Sequence, residues 1–250
     1  MASNDAKAPY IRLAKKDDFE DLAIMLQKAF IRSPPQSFYA RLDKPLTTDP
    51  EDASKRKNQF NYLRYLLHRC WAMQARITIL VVPTEGHKEI IAGVTIWLPP
   101  GVRRPPSLFK SLILPGLVPL LLSWGVGFRK RVYELVSSTE SVLKEAYASK
   151  KLPGSPADSW YLLLAGTDPE YQGKGYMSKL IRETIEQTGD NAIFTLEANN
   201  PKARDVYVKH GFEVVGEVRI GKGSVDDTGI LAQGEKAVGF PMYPMIRHGQ

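Results

Sequence analysis

Residues 160–212 read WYLLLAGTDPEYQGKGYMSKLIRETIEQTGDNAIFTLEANNPKARDVYVKHGF, a stretch that parses as strand, glycine turn, helix, strand, helix. The apolar run Trp160 to Thr167 predicts a strand closed by Asp168-Pro169. Gln172-Gly173-Lys174-Gly175 then leads into a helix whose apolar stripe, Met177, Leu180, Ile181 and Ile185, has helical spacing. A second strand is predicted over Ala192 to Leu196. After it, Asn200 can cap a helix with Pro201 at its first position, and Gly211 is a left-handed stop for that helix.

A glycine turn that opens a helix is an anion cradle. Successive backbone N–H groups point at one spot, the helix dipole adds partial positive charge, and glycines let phosphate oxygens approach the backbone. The spacing is neither that of a P-loop, G-x-x-x-x-G-K-[ST], nor that of a dinucleotide turn, G-x-G-x-x-G. An ordinary tight turn without a ligand can carry the same glycines, so the turn alone decides nothing.

Two motifs together are more specific. QGKGYM, from Gln172 to Met177, is similar to the acetyl-CoA signature [QR]-x-x-G-x-[GA] of the GNAT superfamily of N-acetyltransferases. NPKARDVYVKHGF, from Asn200 to Phe212, is similar to that superfamily's N-x-x-A-x-x-[LV]-Y-x-x-x-G-F. One departure is visible: Met177 stands where the first signature ends in a small residue. The phrase WYLLLAGTDPEYQGKG also resembles the corresponding segment of puromycin N-acetyltransferase-like members. The likeness is close over residues 160–212, loose over 11–98, and absent from the middle of the chain.

The resemblance implies a mixed α/β (α+β) fold with a central sheet of about six to seven strands, splayed between strands 4 and 5. Helices would cover both faces, with a helical insertion between strands 3 and 4. It places the pyrophosphate of acetyl-CoA on the amides of Gly173, Lys174, Gly175, Tyr176, Met177 and Ser178, after Gln172. The pantetheine would run beside Ala165-Gly166-Thr167, with the Ala165 amide as oxyanion donor and Asn200, Ala203 and Tyr207 completing the cofactor side. Lys174, Lys202 and Arg204 are candidates for phosphate contacts.

Acetyl transfer to an amine needs a held cofactor, a polarised carbonyl, a neutral amine and a proton for the departing thiolate. Tyr207 occupies the family's tyrosine position and is the candidate acid; its alternative is to pack its ring between helix and sheet. Tyr161 stands where histone-acetylating relatives carry a glutamate. Strand alternation puts Tyr161, Leu163 and Ala165 on one face, with Tyr161 at the acyl site. Glu197, at the end of the next strand, resembles the glutamate of the puromycin-type LE segment. It could deprotonate the acceptor, bind its ammonium group, or serve as a structural carboxylate.

With 250 residues and 43% apolar content, the chain is expected to be one domain, residues 1–250, elaborated by an insertion at 99–159. Its single cysteine excludes an intramolecular disulfide and fits a reducing, cytoplasmic setting. Cys70 falls in the helical pattern Phe60, Leu63, Leu67, Cys70 and Trp71 and reads as core. His68, two residues away on another helix face, is not placed to activate it. Four histidines and one cysteine give no zinc spacing, so no metal is expected. The formal charge of +7 suits an anionic ligand such as coenzyme A. Lys55-Arg56-Lys57 is too short, and too poor in aromatics, to suggest nucleic-acid binding.

Residues 1–9 are polar, with no export signal evident. Ile11 to Ala14 reads as a strand. A helix starting near Asp17 and Glu20, with the stripe Phe19, Leu22, Ala23, Leu26 and Phe30, must end before Pro34-Pro35. A loop is expected up to Asp49-Pro50, then a helix to about Gln74, and then a hairpin of Arg76 to Val82 and Glu89 to Leu98 around PTEGH. Ser111 to Phe128 carries no charge and reaches the lower limit for a membrane span, about 18 residues. Pro115, Pro119, Gly116, Gly125 and Gly127 interrupt it, which favours a buried helical insertion or an apolar substrate wall over membrane-surface contact or a stable span. Arg129 to Lys150 reads as an amphipathic helix through Val132, Leu135, Val136, Val142, Leu143 and Ala146. Glu213 to Ile220 and Ala237 to Ile246 read as strands around a loop, Gly221 to Gly234. Pro241 and Pro244 should make the last strand an edge or a broken one.

The expected function is acetyl-CoA-dependent N-acetylation of a small amine by direct transfer in a ternary complex. Acetylation of a protein or peptide amine and a non-catalytic CoA sensor are the rivals. A monomer and a homodimer both remain open.

Overall fold

The computed structural model describes residues 8–84, 89–102, 114–189 and 191–249. Their strands are β1 (Tyr10–Leu13), β2 (Arg76–Pro83), β3 (Glu89–Leu98), β4 (Trp160–Thr167), β5 (Phe194–Ala198), β6 (Glu213–Val214), β7 (Val218–Ile220) and β8 (Phe240–Arg247). They form one sheet in the order β1-β2-β3-β4-β5-β8-β6, with β7 also on β8. The β4–β5 pair is parallel and the others are antiparallel. The helices are α1 (Phe19–Ala29), α2 (Pro34–Ala40), α3 (Ala53–Ala72), α4 (Leu117–Trp124), α5 (Phe128–Ser149), α6 (Tyr176–Thr188) and α7 (Pro201–Val208).

The apolar stripes decide which face each helix covers. Phe19, Leu22 and Leu26 of α1 and Leu63, Leu67 and Cys70 of α3 pack on Ile77, Ile79, Val94 and Ile96. On the opposite face, Ile181 of α6 and Tyr207 of α7 pack with Trp97, Leu162, Phe194 and Leu196. Arg76 pairs with Glu183, tying β2 to α6. Cys70 is core, as its spacing predicts, and burial pushes its thiol up to about 12, so it stays protonated.

β4 and β5 pair only from Trp160 to Leu162 and from Phe194 to Leu196. Beyond Leu162 the strands part, and residues 164–167 keep β3 as their neighbour. This is the splay between strands 4 and 5 that the family resemblance implies.

Several expectations need correction. The segment after Pro34-Pro35 is helix α2 rather than loop, because two prolines fit the first turn, where backbone N–H groups need no intrahelical partner. Phe38 and Tyr39 then anchor it in the core. The strand expected at 192–196 starts two residues later. The strand expected at 213–220 splits into β6 and β7, which brings the sheet to eight strands among the described residues.

β8 is an interior strand, paired with β5 on one side and with β6 and β7 on the other, despite Pro241 and Pro244. The direction of each ring nitrogen explains how. The Pro244 carbonyl accepts from the Val215 amide, so Pro244 faces β6 and β7, at the place where those two strands are interrupted. Pro241 is three residues away and faces the opposite side, beyond the end of β5 at Ala198. Neither missing N–H removes a rung of the ladder.

The insertion is helical where described. Leu117 and Leu120 of α4 are buried, with Tyr62 and Tyr65 of α3 packed against their cluster. Val118 and Leu122 face outward, contrary to a fully buried insertion. Among the described residues no helix is long and apolar enough to cross a membrane. The expectations for the N-terminal segment 1–7, for Glu85, Gly86 and His87 of PTEGH and for Ser111 to Ile113 fall outside the described residues.

Candidate functional site

β4 is followed by Asp168, which is held firmly. Its amide donates to the Ala92 carbonyl (2.9 Å), its carboxylate accepts from the Glu170 amide (3.0 Å), and Lys28 Nζ lies 3.6 Å from it. Gln172 Nε2 donates to the Thr167 carbonyl at 3.4 Å, bracing the loop against the strand it leaves. Gly173 and Gly175 have φ of +79° and +73°, in the left-handed region where a side chain is strained. A Cβ built at either one would meet nothing within 4 Å. Conformation, not packing, therefore requires these glycines, and the space above them is clear.

Gly175 is the N-cap of α6. The first-turn amides of a helix have no intrahelical acceptor, and no acidic side chain stands in this first turn to neutralise them. Lys174 Nζ lies 4.5 Å from the Tyr171 ring centre, and that ring stacks on Tyr176 at 6.4 Å. An anionic ligand such as a pyrophosphate fits this turn on three counts: open surface, convergent donors and adjacent positive charge.

The residues expected around the cofactor sulfur come together. Ala165 of β4, Met177 of α6 and Ala203 of α7 all pack against the cluster that contains Tyr207. Met177, the departure from the small-residue signature, thus turns its side chain into the apolar cluster. Tyr207 is 9% exposed, with Phe212 edge-on at 6.0 Å, and burial raises its pKa above the usual phenol value. Asn200 caps α7 as its spacing predicts, accepting from the Ala203 amide at 2.8 Å. Replacing Asn200 by alanine should lower stability by about 1 kcal/mol, measured as a shift of the thermal midpoint.

Tyr161 and Glu197 also meet: the Tyr161 hydroxyl donates to Glu197 Oε2 at 2.6 Å. They lie on the other face of the sheet from Tyr207. Leu196 and Ala198, which flank Glu197, point into the α6/α7 cluster, so Glu197 points away from it. Tyr161 and Ala165 do not share a face as simple alternation predicts. The β3–β4 register slips between Ile96 and Trp97, leaving Leu163 as an extra residue. Leu162 and Ala165 consequently pack on the α6/α7 side. Gly166 faces α1, where an added Cβ would lie 2.9 Å from Leu26.

Tyr39 of α2 is a neighbour that sequence reasoning missed. Burial raises its pKa, and the nearby phenol of Tyr62 and the charge of Glu197 push the same way. Its ring stands 6.1 Å from that of Tyr62. Reading Pro34-Pro35 as a helix start would have found it.

The basic candidates divide. Lys174 stays at the turn and Lys202 is exposed on α7. Arg204 is engaged by Asp205 at 2.9 Å and by the Tyr243 ring at 5.1 Å. A cavity of about 470 Å³ between α2, α3 and α4 is lined by Gln36, Arg41, Asn58, Gln59 and Trp124 among others, and by none of the site residues above. Among the described residues no cluster of three or more His, Cys, Asp or Glu side chains could hold a metal.

Residues 146–214 match the family model for the acetyltransferase (GNAT) domain. No curated protein sequence matches the chain. Its fold is similar to that of histone acetyltransferase HPA2 and related acetyltransferase from Corynebacterium glutamicum (TM-score 0.57, 20% identity, covering 98% of each chain). It is similar also to arylalkylamine N-acetyltransferase 2 from Aedes aegypti (0.58, 15%, 98% of this chain and 100% of that one). A third likeness is to the Drosophila melanogaster polyamine N-acetyltransferase that forms N-acetylagmatine (0.55, 13%, 96% and 100%). The domain signature and the splayed sheet agree: residues 146–214 carry a GNAT acetyltransferase domain, and the sheet around them has the GNAT fold.

Proposed function

We propose that the chain, acting as one domain with an insertion at 99–159, acetylates a primary amine of a small molecule by direct transfer in a ternary complex. The observation that carries the acceptor reading is the Tyr161–Glu197 pair, a carboxylate held at 2.6 Å by a phenol, whose charge acts on Tyr39, with Tyr62 packed on Tyr39. One anionic group in an aromatic setting suits a compact cation with an apolar body. The likeness of residues 160–175 to puromycin-type members supports a drug or toxin amine. Relatives of this fold include proteins named for agmatine and arylalkylamine acetylation and one named for histones, so fold alone does not choose between acceptors. The buried lone cysteine supports a reducing, cytoplasmic setting.

In this reading the amides of residues 173–178 and Gln172 hold acetyl-CoA, which supplies an activated acyl group. The Ala165 amide polarises the acyl carbonyl, Glu197 takes the proton of the acceptor ammonium directly or through water, and Tyr207 donates a hydrogen bond at the thiol position. A buried phenol with a raised pKa is protonated across the working range. It is also a weaker acid than a thiol of pKa about 8.5, so it stabilises a thiolate without fully protonating it. Tyr207→Phe should therefore lower kcat only about tenfold, below the usual range for general acids, with CoA affinity unchanged. Wild-type kcat in that variant would remove Tyr207 from the chemistry.

Thiol release from acetyl-CoA with a panel of small primary amines and amine-bearing peptides tests the whole reading. Turnover with small amines well above that with peptides is expected. Peptide preference would shift the assignment to a protein acceptor, and CoA binding without turnover across the panel would make the chain a sensor.

A further inference from the structure

We infer that the outward face of α4 and the start of α5 docks on an anionic lipid surface. Val118 and Leu122 lie four residues apart on α4 and so share one face, 53% and 83% exposed. Val126, 77% exposed, and Tyr133, 72% exposed, follow at the junction with α5. The exposed side chains of Arg129 and Lys130 stand among them. From Leu114 to Tyr133 the sequence contains no Asp or Glu, and the next residue, Glu134, accepts from the Gly221 amide at 2.9 Å. Apolar side chains interleaved with cations, and no acid among them, is the composition of an element that rests at the headgroup boundary of a negatively charged bilayer.

The face is held outward. A Cβ on Gly116, whose φ is +91°, would lie 2.4 Å from the Asn61 carbonyl oxygen, so glycine lets α4 sit directly on the α3 backbone. Arg131 donates to the Tyr39 carbonyl (3.0 and 2.5 Å) and to the Trp124 carbonyl (3.5 Å), pinning the α4–α5 corner. Leu117, Leu120 and Phe128 take the inner side, and among the described residues Val118, Leu122 and Val126 stay exposed. A second copy suits the face less well. In a twofold contact Arg129 and Lys130 would meet their own counterparts without an acid in the segment to neutralise them. An eight-residue helix cannot cross a bilayer but can lie on one.

Flotation of the full chain with vesicles tests this. The chain should float with equal parts phosphatidylcholine and phosphatidylserine at low salt, be released by raised salt, and stay behind with phosphatidylcholine alone. L122S/V126S and R129E/K130E should each lower the bound fraction about tenfold while leaving the thermal midpoint in place, which separates lost docking from lost folding. Failure to float at low salt, or full binding by both variants, would overturn the inference. So would light scattering that finds a wild-type dimer converted to monomer by L122S/V126S with vesicle binding intact, since the face would then belong to a second copy.

Discussion

Gly175→Val should raise the Kd for coenzyme A about a hundredfold while moving the thermal midpoint by only a few degrees. At φ +73° a Cβ-bearing residue costs about 1–2 kcal/mol. Nothing within 4 Å resists the new atom, so strain is the only folding penalty. The ligand meets the larger effect. A branched side chain would stand where a phosphate must approach, and charge-assisted hydrogen bonds to backbone N–H groups contribute about 1.5–3 kcal/mol each. Loss of one or two of them accounts for the expected change in affinity. Gly116→Ala should do the reverse, because its Cβ collides with the Asn61 carbonyl and Tyr65. A lower thermal midpoint with CoA affinity intact is expected there. Titration calorimetry with coenzyme A and a thermal melt on both variants give the comparison. A Gly175→Val protein that binds within threefold of wild type would mean that the glycine turn is not the phosphate cradle.

The glycine turn and the helices around it were legible in the sequence because everything that makes them is local. Glycine pairs, a capping asparagine, a first-turn proline and a helical stripe each act within a few residues, and Asn200, Pro201, Gly211 and the α6 stripe all fall where spacing puts them. What was not legible depends on partners far along the chain. The bulge at Leu163 is a register slip against β3, and no feature of WYLLLAGT announces it. It moves Tyr161 to the face opposite Ala165, which alternation cannot foresee. β8 could not be recognised as an interior strand from Pro241 and Pro244. Their tolerance rests on a gap between β6 and β7 and on the end of β5, both set by other segments. Tyr39 was missed because two prolines read as a stop when they were a start. The apolar run from Ser111 predicted a helix but not its exposure, since which side of α4 is buried depends on α3.

Glu197→Gln should lower kcat/KM about a hundredfold, the low end of general-base effects, and should remove the acidic limb of its pH profile. The substitution preserves shape and leaves an oxygen to accept from Tyr161, so the 2.6 Å contact and local packing survive while the charge is lost. Tyr161→Phe is the companion test. It removes the donor and keeps the carboxylate, so a smaller fall with the acidic limb retained is expected if the phenol only orients Glu197. The pair of variants separates three roles for the carboxylate. A base loses kcat and the limb together, because the amine can no longer be deprotonated in the complex. A binder of the ammonium group loses KM with kcat kept, since the charged amine is held less well but reacts as before. A structural carboxylate loses thermal stability with both constants kept. An acidic limb unchanged in Glu197→Gln would exclude the base role, and with kcat and KM also unchanged the acceptor would have to meet the acyl group on residues other than the Tyr161–Glu197 pair.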